Sequence, residues 1–168
     1  MLVQRDWFRI CSIIVIGLFL SGCALSNRPS KKNSELIDVP EWQGRLSVSV
    51  QSDPPSSMTA AFSLRGDAQR GELDLYSPIG TTLGALEWSP NIAQLNQGGA
   101  YQRFDSLDEL TQKTTGAELP LSAIFGWLNG KNIDAIGWQA DLSNLSNGSL
   151  SARRTSPLPE VSLRIKLD

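Results

Sequence analysis

The chain has 168 residues, 15 basic and 17 acidic side chains, a formal net charge of −2 and 40% hydrophobic residues. It has no histidine, and its two cysteines are Cys11 and Cys23. These facts remove Ser-His-Asp and Cys-His nucleophile pairs and the His/Cys ligand sets usual for zinc. No basic stripe appears either, so a nucleic-acid partner is not expected.

The N-terminus reads as a targeting segment. Arg5 and Arg9 supply positive charge, Ile10 to Leu20 form an apolar run, and Leu20-Ser21-Gly22-Cys23 closes it. A membrane span needs about 20 apolar residues, more than this run offers. The tetrad resembles the bacterial lipobox. That resemblance implies a signal peptide over 1–22, cleavage after Gly22, a diacylglyceryl thioether on Cys23 and a third acyl chain on the new N-terminus. The alternative is an ordinary thiol beside a secretory signal. One acyl chain holds a protein only marginally, whereas several anchor it firmly. The sorting pattern places Asp after the cysteine of proteins kept at the inner membrane; Ala24 here points to the outer membrane. Residues 23–40 are then a lipidated N-terminus and flexible tether, rich in Ser, Asn, Lys and Pro. Loss of 1–22 removes Arg5, Asp6 and Arg9, leaving 13 basic and 16 acidic residues on one domain, 41–168, without a disulfide.

From Trp42 onward apolar residues alternate with polar ones between turn signals, which predicts antiparallel strands. The first runs from Trp42 to Val50, with Trp42, Gly44, Leu46, Val48 and Val50 on one face. Asp53-Pro54-Pro55 turns the chain into a second strand bearing Met58, Ala60, Phe62 and Leu64. Arg70 to Tyr76 follows with Leu73 and Leu75, then the break Ser77-Pro78-Ile79-Gly80, then Thr81 to Trp88 with Leu86 and Trp88. Ile92 to Asn96 and Gly99 to Phe104 are two shorter strands. Ser106 and Glu109 then make a capping box that opens a helix ending near Gly116. Leu121, Ile124, Phe125 and Leu128 form an apolar stripe on a second helix, with Gly130 just past its end. Trp138 to Leu142, Ser149 to Arg154 and Val161 to Leu167 return to extended structure.

Two short helices cannot cover the inner face of nine strands, so the expected fold is a mainly β domain whose sheet curls into an unclosed antiparallel barrel. A packed sandwich also fits the alternation. Asp67, Glu72, Asp74, Glu87 and Asp105 lie beside turns or on alternating strand faces, so carboxylate catalysis is not expected. No catalytic residue, metal site or cofactor is assigned. Taken singly, the apolar residues named above are best explained as ordinary core, and Ile79 as a turn residue tucked inward.

Several short runs resemble, in order, the outer-membrane lipoprotein receptor family LolB. They are Trp42-Gln43-Gly44-Arg45-Leu46, Ala61-Phe62-Ser63-Leu64, and Leu73-Asp74-Leu75-Tyr76-Ser77-Pro78-Ile79-Gly80-Thr81-Thr82. Further on stand Glu118-Leu119-Pro120-Leu121, Trp127-Leu128-Asn129-Gly130, Gly137-Trp138 and Leu163-Arg164-Ile165-Lys166-Leu167. The resemblance implies an open barrel with a helical lid over a hydrophobic cavity. Leu46, Val48, Phe62, Leu64, Leu73, Leu75, Leu86 and Trp88 would line that cavity, with Phe125, Trp127 and Leu128 in the lid. It also implies that Pro78, Ile79 and Gly80 form an exposed membrane-insertion loop. The implied partners are a soluble periplasmic LolA-type carrier, triacylated lipoprotein cargo and outer-membrane lipid, met by a monomer. The short stretch between Gly130 and Trp138, and the chain's end at Asp168, depart from the family and imply a smaller cavity or weaker rim. The competing function is a structural or assembly lipoprotein that binds a protein through its sheet face; a hydrolase ranks below both.

Overall fold

The computed structural model describes residues 39–168, so the expectations for the signal, for Cys23 and for the tether up to residue 38 lie outside the described residues. Nine strands follow: β1 (Glu41–Val50), β2 (Ser56–Gly66), β3 (Gly71–Tyr76), β4 (Thr82–Ser89), β5 (Ile92–Gln97), β6 (Ala100–Arg103), β7 (Trp138–Asp141), β8 (Ser149–Arg154) and β9 (Val161–Leu167). Helices α1 (Leu107–Thr115) and α2 (Leu121–Leu128) separate β6 from β7.

All nine strands form one antiparallel sheet in the order β6-β5-β4-β3-β2-β1-β9-β8-β7. The first six make a meander. The last strand then returns to pair with the first, Val50 opposite Val161 and Gly44 opposite Leu167. Nothing joins β6 to β7 in that order, so the barrel stays open between them. The packed-sandwich alternative fails because there is one sheet, curled, and not two facing sheets.

Period-two alternation sets which face is inside. In β1, Leu46, Val48 and Val50 are buried, while Arg45 is exposed and Ser47 and Ser49 are half-buried. The same phase buries Phe62 and Leu64 in β2, Leu75 in β3, Leu86 and Trp88 in β4, and Leu163 and Ile165 in β9. Cross-strand register keeps these together: Leu64 faces Leu73, and Leu73 faces Leu86. On the outer face, Arg65 Nη2 bonds Glu41 Oε1 at 2.9 Å and Arg65 Nη1 bonds Glu72 Oε1 at 3.4 Å, a charged ladder across β1, β2 and β3.

The helices close the concave side. Ser106 caps α1 by accepting from the Glu109 N–H, and the Glu109 carboxylate accepts in turn from the Asp105 N–H. The helix ends at Gly116, whose position lies against Val50 and Ser56. Thr111, buried, bridges onward: its hydroxyl donates to Asp108 O and accepts from the buried Leu119 N–H at 3.1 Å. Helix α2 buries six of its eight residues, more than the expected stripe, because Ala123 and Trp127 also face protein. Phe125 meets Trp42 edge-on at 5.6 Å and Trp88 at 6.1 Å, while Trp127 lies 6.4 Å from Trp138. Two of these indoles donate their N–H groups to backbone carbonyls, Trp88 to Asp67 O and Trp127 to Ile133 O.

Several strand boundaries shift by one residue from those expected. Arg70 lies in the β2–β3 turn, where its N–H bonds the Asp67 carboxylate, and Phe104 falls past the end of β6. Strand β7 stops at Asp141 rather than Leu142, because the Asp141 carboxylate accepts from the Ser143 N–H and starts a turn.

Candidate functional site

Strand direction defines two ends of the open barrel. The end of β1 at Val50, the β3–β4 turn, the β8–β9 connection and the start of β7 share one end, here the upper one. The β2–β3 turn and the start of β1 occupy the other.

The β3–β4 turn is built to hold Ile79 out. Gly80 N–H bonds Ser77 O at 2.9 Å, Ser77 N–H bonds Thr81 O at 2.8 Å, and Thr81 N–H bonds the Ser77 hydroxyl at 3.1 Å. Gly80 sits at φ +81°, a backbone that glycine adopts without steric cost. The pairing of β3 with β4 shifts register between Leu75 and Tyr76, just before the turn. Ile79 is 89% exposed at the tip, beside Pro78 and Gly80, which are exposed too. The inward-tucked position that the residues alone favoured is therefore not adopted: the turn's own hydrogen bonds direct the side chain to solvent.

Leu46, Val48, Phe62, Leu64, Leu75, Leu86, Trp88, Phe125, Trp127 and Leu128 are all buried in one cluster, and Leu73 is half-buried against it. Sheet and helices thus enclose a single apolar interior lined by these side chains. A pocket of about 320 Å³ opens at the lower end between the start of α1 and β4–β5, lined by Trp88, Ala93, Phe104 and Leu107 among others. A second, of about 340 Å³, lies along the outer face of β1, β8 and β9 beside Arg45, Ser47, Ser151 and Lys166. Among the described residues no group of acidic side chains is arranged to hold a metal ion, and no helix is long and apolar enough to cross a membrane.

The sequence reading passed over Arg154. Strand β8 places it on the inward phase with Leu150 and Ala152, and it is buried. Its Cζ lies 5.8 Å from the centroid of the Trp138 ring. The signal was present, since a charged residue two positions beyond Ala152 shares its face.

The fold is that of an open antiparallel barrel with an apolar interior under two helices and one apolar side chain held out on a braced turn. The sequence model of the family described as "Outer membrane lipoprotein LolB" matches residues 40–156, and the chain belongs to that family. A protein of Bordetella petrii named Outer-membrane lipoprotein LolB is 27% identical over 191 residues, an alignment covering 98% of this chain and 94% of the relative. Similarly named proteins of Shewanella sp. (strain W3-18-1) and Chromobacterium violaceum are 27% and 29% identical, over 72% and 70% of this chain. Those two alignments span 58% and 66% of the relatives' own lengths. Membership places the chain among outer-membrane lipoproteins of lipoprotein localization, which is not a known enzyme family.

Proposed function

We propose that this protein, held at the outer membrane through a lipidated Cys23, receives triacylated lipoproteins from a LolA-type periplasmic carrier and delivers them into the bilayer. The observation that carries the reading is Ile79, an isoleucine 89% exposed on a hydrogen-bonded turn at the rim of an apolar, helix-covered interior.

The energetics require shielding. An acyl chain exposed to water costs about 0.8 kcal/mol per CH₂, so three long chains cost on the order of tens of kcal/mol. Such cargo has to pass from one apolar enclosure to another without crossing open water. With no nucleotide-binding loop in the sequence, each transfer runs downhill by relative affinity. The interior between sheet and helices is the enclosure in this reading. Apolar side chains line it, and acyl chains enter as α1 and α2 lift from the sheet, exchanging one apolar contact for another. Pro78, Ile79 and Gly80 then touch the bilayer and open a greasy path from the interior to the membrane.

The test is Ile79→Glu. The side chain is solvent-exposed, so the variant keeps its fold and accepts cargo from a loaded carrier, but delivery to membranes falls at least tenfold. Delivery at the parent rate would remove Ile79 from the mechanism. In a companion experiment Cys23→Ala releases the protein into the periplasmic fraction; retention in the outer membrane would contradict the anchor.

A further inference from the structure

The two most exposed apolar side chains besides Ile79 stand at the same end. Ile136 is 93% exposed and Leu158 is 81% exposed. Ile136 precedes β7, and Leu158 lies in the β8–β9 connection. Register fixes both at the upper end: Trp138 faces Arg154, Arg154 faces Val161, and Val161 faces Val50. The β3–β4 turn and the β8–β9 connection are four strand spacings apart, about 19 Å along the curved sheet.

The two loops are locked together. Gly137, at φ +77°, packs so tightly on the β8–β9 connection that a Cβ there would lie 1.7 Å from Ser156 O and 3.3 Å from Arg154 Cγ. Only glycine fits that approach, so Ile136 and Leu158 are carried on one braced unit. Arg154 is the buried charge within this unit. Its Nη2 donates to Pro159 O at 3.4 Å and its Nε has no hydrogen-bond partner. Among the described residues no carboxylate comes within 4.0 Å of it, and the neighbouring Glu160 is paired with Arg153 instead. A buried guanidinium without a counter-anion is costly to maintain.

We propose that these two loops form a second membrane contact, in which Ile136 and Leu158 enter the bilayer edge and the Arg154 charge draws anionic lipid phosphates to the same spot. The proposal rests on the reading of Ile79 as a bilayer-touching residue. Three features favour lipid over a protein partner. The apolar groups sit on separate loop tips and form no continuous groove, which suits a fluid surface. An outer-membrane lipoprotein always has a bilayer beside it. An uncompensated cation beneath apolar tips matches the layering of phosphate above hydrocarbon, where each basic residue near an anionic surface adds attraction. Two separate contacts would fix the angle at which the barrel end meets the membrane, as one contact cannot.

The experiment uses the full lipidated protein in vesicles of phosphatidylethanolamine and phosphatidylglycerol. Ile79→Cys, Ile136→Cys, Leu158→Cys and, at the lower end, Gln69→Cys each carry an environment-sensitive dye, and spin-labelled lipids serve as quenchers. Circular dichroism confirms the fold of each variant. Dyes at 79, 136 and 158 are expected to be quenched at least threefold more than the dye at 69. Adding Arg154→Gln should then halve quenching at 158 in these vesicles and leave it unchanged in pure phosphatidylcholine. Quenching at 79 alone would overturn this proposal and leave the Ile79 reading intact, whereas silence at all three would overturn both. Shielding of 136 and 158 from aqueous iodide without lipid quenching would mark a protein contact and contradict the proposal. An Arg154→Gln variant that behaves as the parent in both lipids would refute the part assigned to its charge.

Discussion

Ile79 gives up the burial that an isoleucine side chain normally gains, about 1.5–3 kcal/mol. Its turn leaves that free energy to be recovered on contact with hydrocarbon. Exposure of this kind makes substitutions nearly silent for stability: Ile79→Ser should shift the unfolding free energy by less than about 0.5 kcal/mol. A larger loss in a urea titration would show that the side chain packs in the folded body. Local sequence could not reveal its direction, because an isoleucine between proline and glycine carries no periodicity. The Ser77 hydrogen bonds and the positive φ of Gly80 decide it. Arg154 was legible by contrast, since its phase on β8 follows from counting.

A second residue-scale expectation concerns acid. Glu41 is held below its ordinary value of 4.5, first by the hydrogen bond from Arg65 and next by that from Gln43. A carboxylate whose folded pKa is depressed contributes stability that is fully present above its unfolded value and lost as pH falls through the folded one. Glu41→Gln should therefore flatten the decline of the urea midpoint between pH 6 and pH 3. A variant as acid-sensitive as the parent would mean the ladder contributes nothing. The effect is modest because the carboxylate is in solvent.

At the scale of elements, the two helices matter most, because any opening of the interior moves them. Thr111 on α1 ties down the segment that leads into α2, its hydroxyl accepting from the buried Leu119 N–H. Thr111→Val keeps the shape and leaves that donor unpaired, which should cost about 1–3 kcal/mol. An unchanged melting curve would show that another group takes over. The capping box at Ser106 and Glu109 and the limits of α2 were readable from spacing alone, as were the bounds of β8 and β9. What spacing could not give is how completely α2 is enclosed. Trp127 lies off the Leu121-Ile124-Phe125-Leu128 stripe, yet it is buried because Ile133 and Trp138 cover its outer side.

At the scale of the whole molecule, the decisive feature is the pairing of β9 with β1. It turns a six-stranded meander and a three-stranded C-terminal sheet into one curled surface with a single inside. Alternation in each strand is local and therefore legible in the sequence. The partner of each strand is not, because a pairing across more than 100 residues leaves no short-range trace. That closure brings Leu46, Phe62, Leu86 and Phe125 into one apolar interior. The same curvature gathers the Ile79 turn and the Ile136–Leu158 loops at one end. In the proposed cycle the interior receives the acyl chains and that end passes them on.

The most direct measurement of this claim follows the acyl chains themselves. A lipoprotein bearing a photoreactive fatty-acyl group is loaded on its carrier, mixed with this protein and irradiated, and the adducts are mapped by mass spectrometry. Adducts on inward residues such as Leu46, Phe62, Leu86 and Phe125 are the predicted result. Transfer of the lipoprotein with adducts confined to the outer face of the sheet would contradict it.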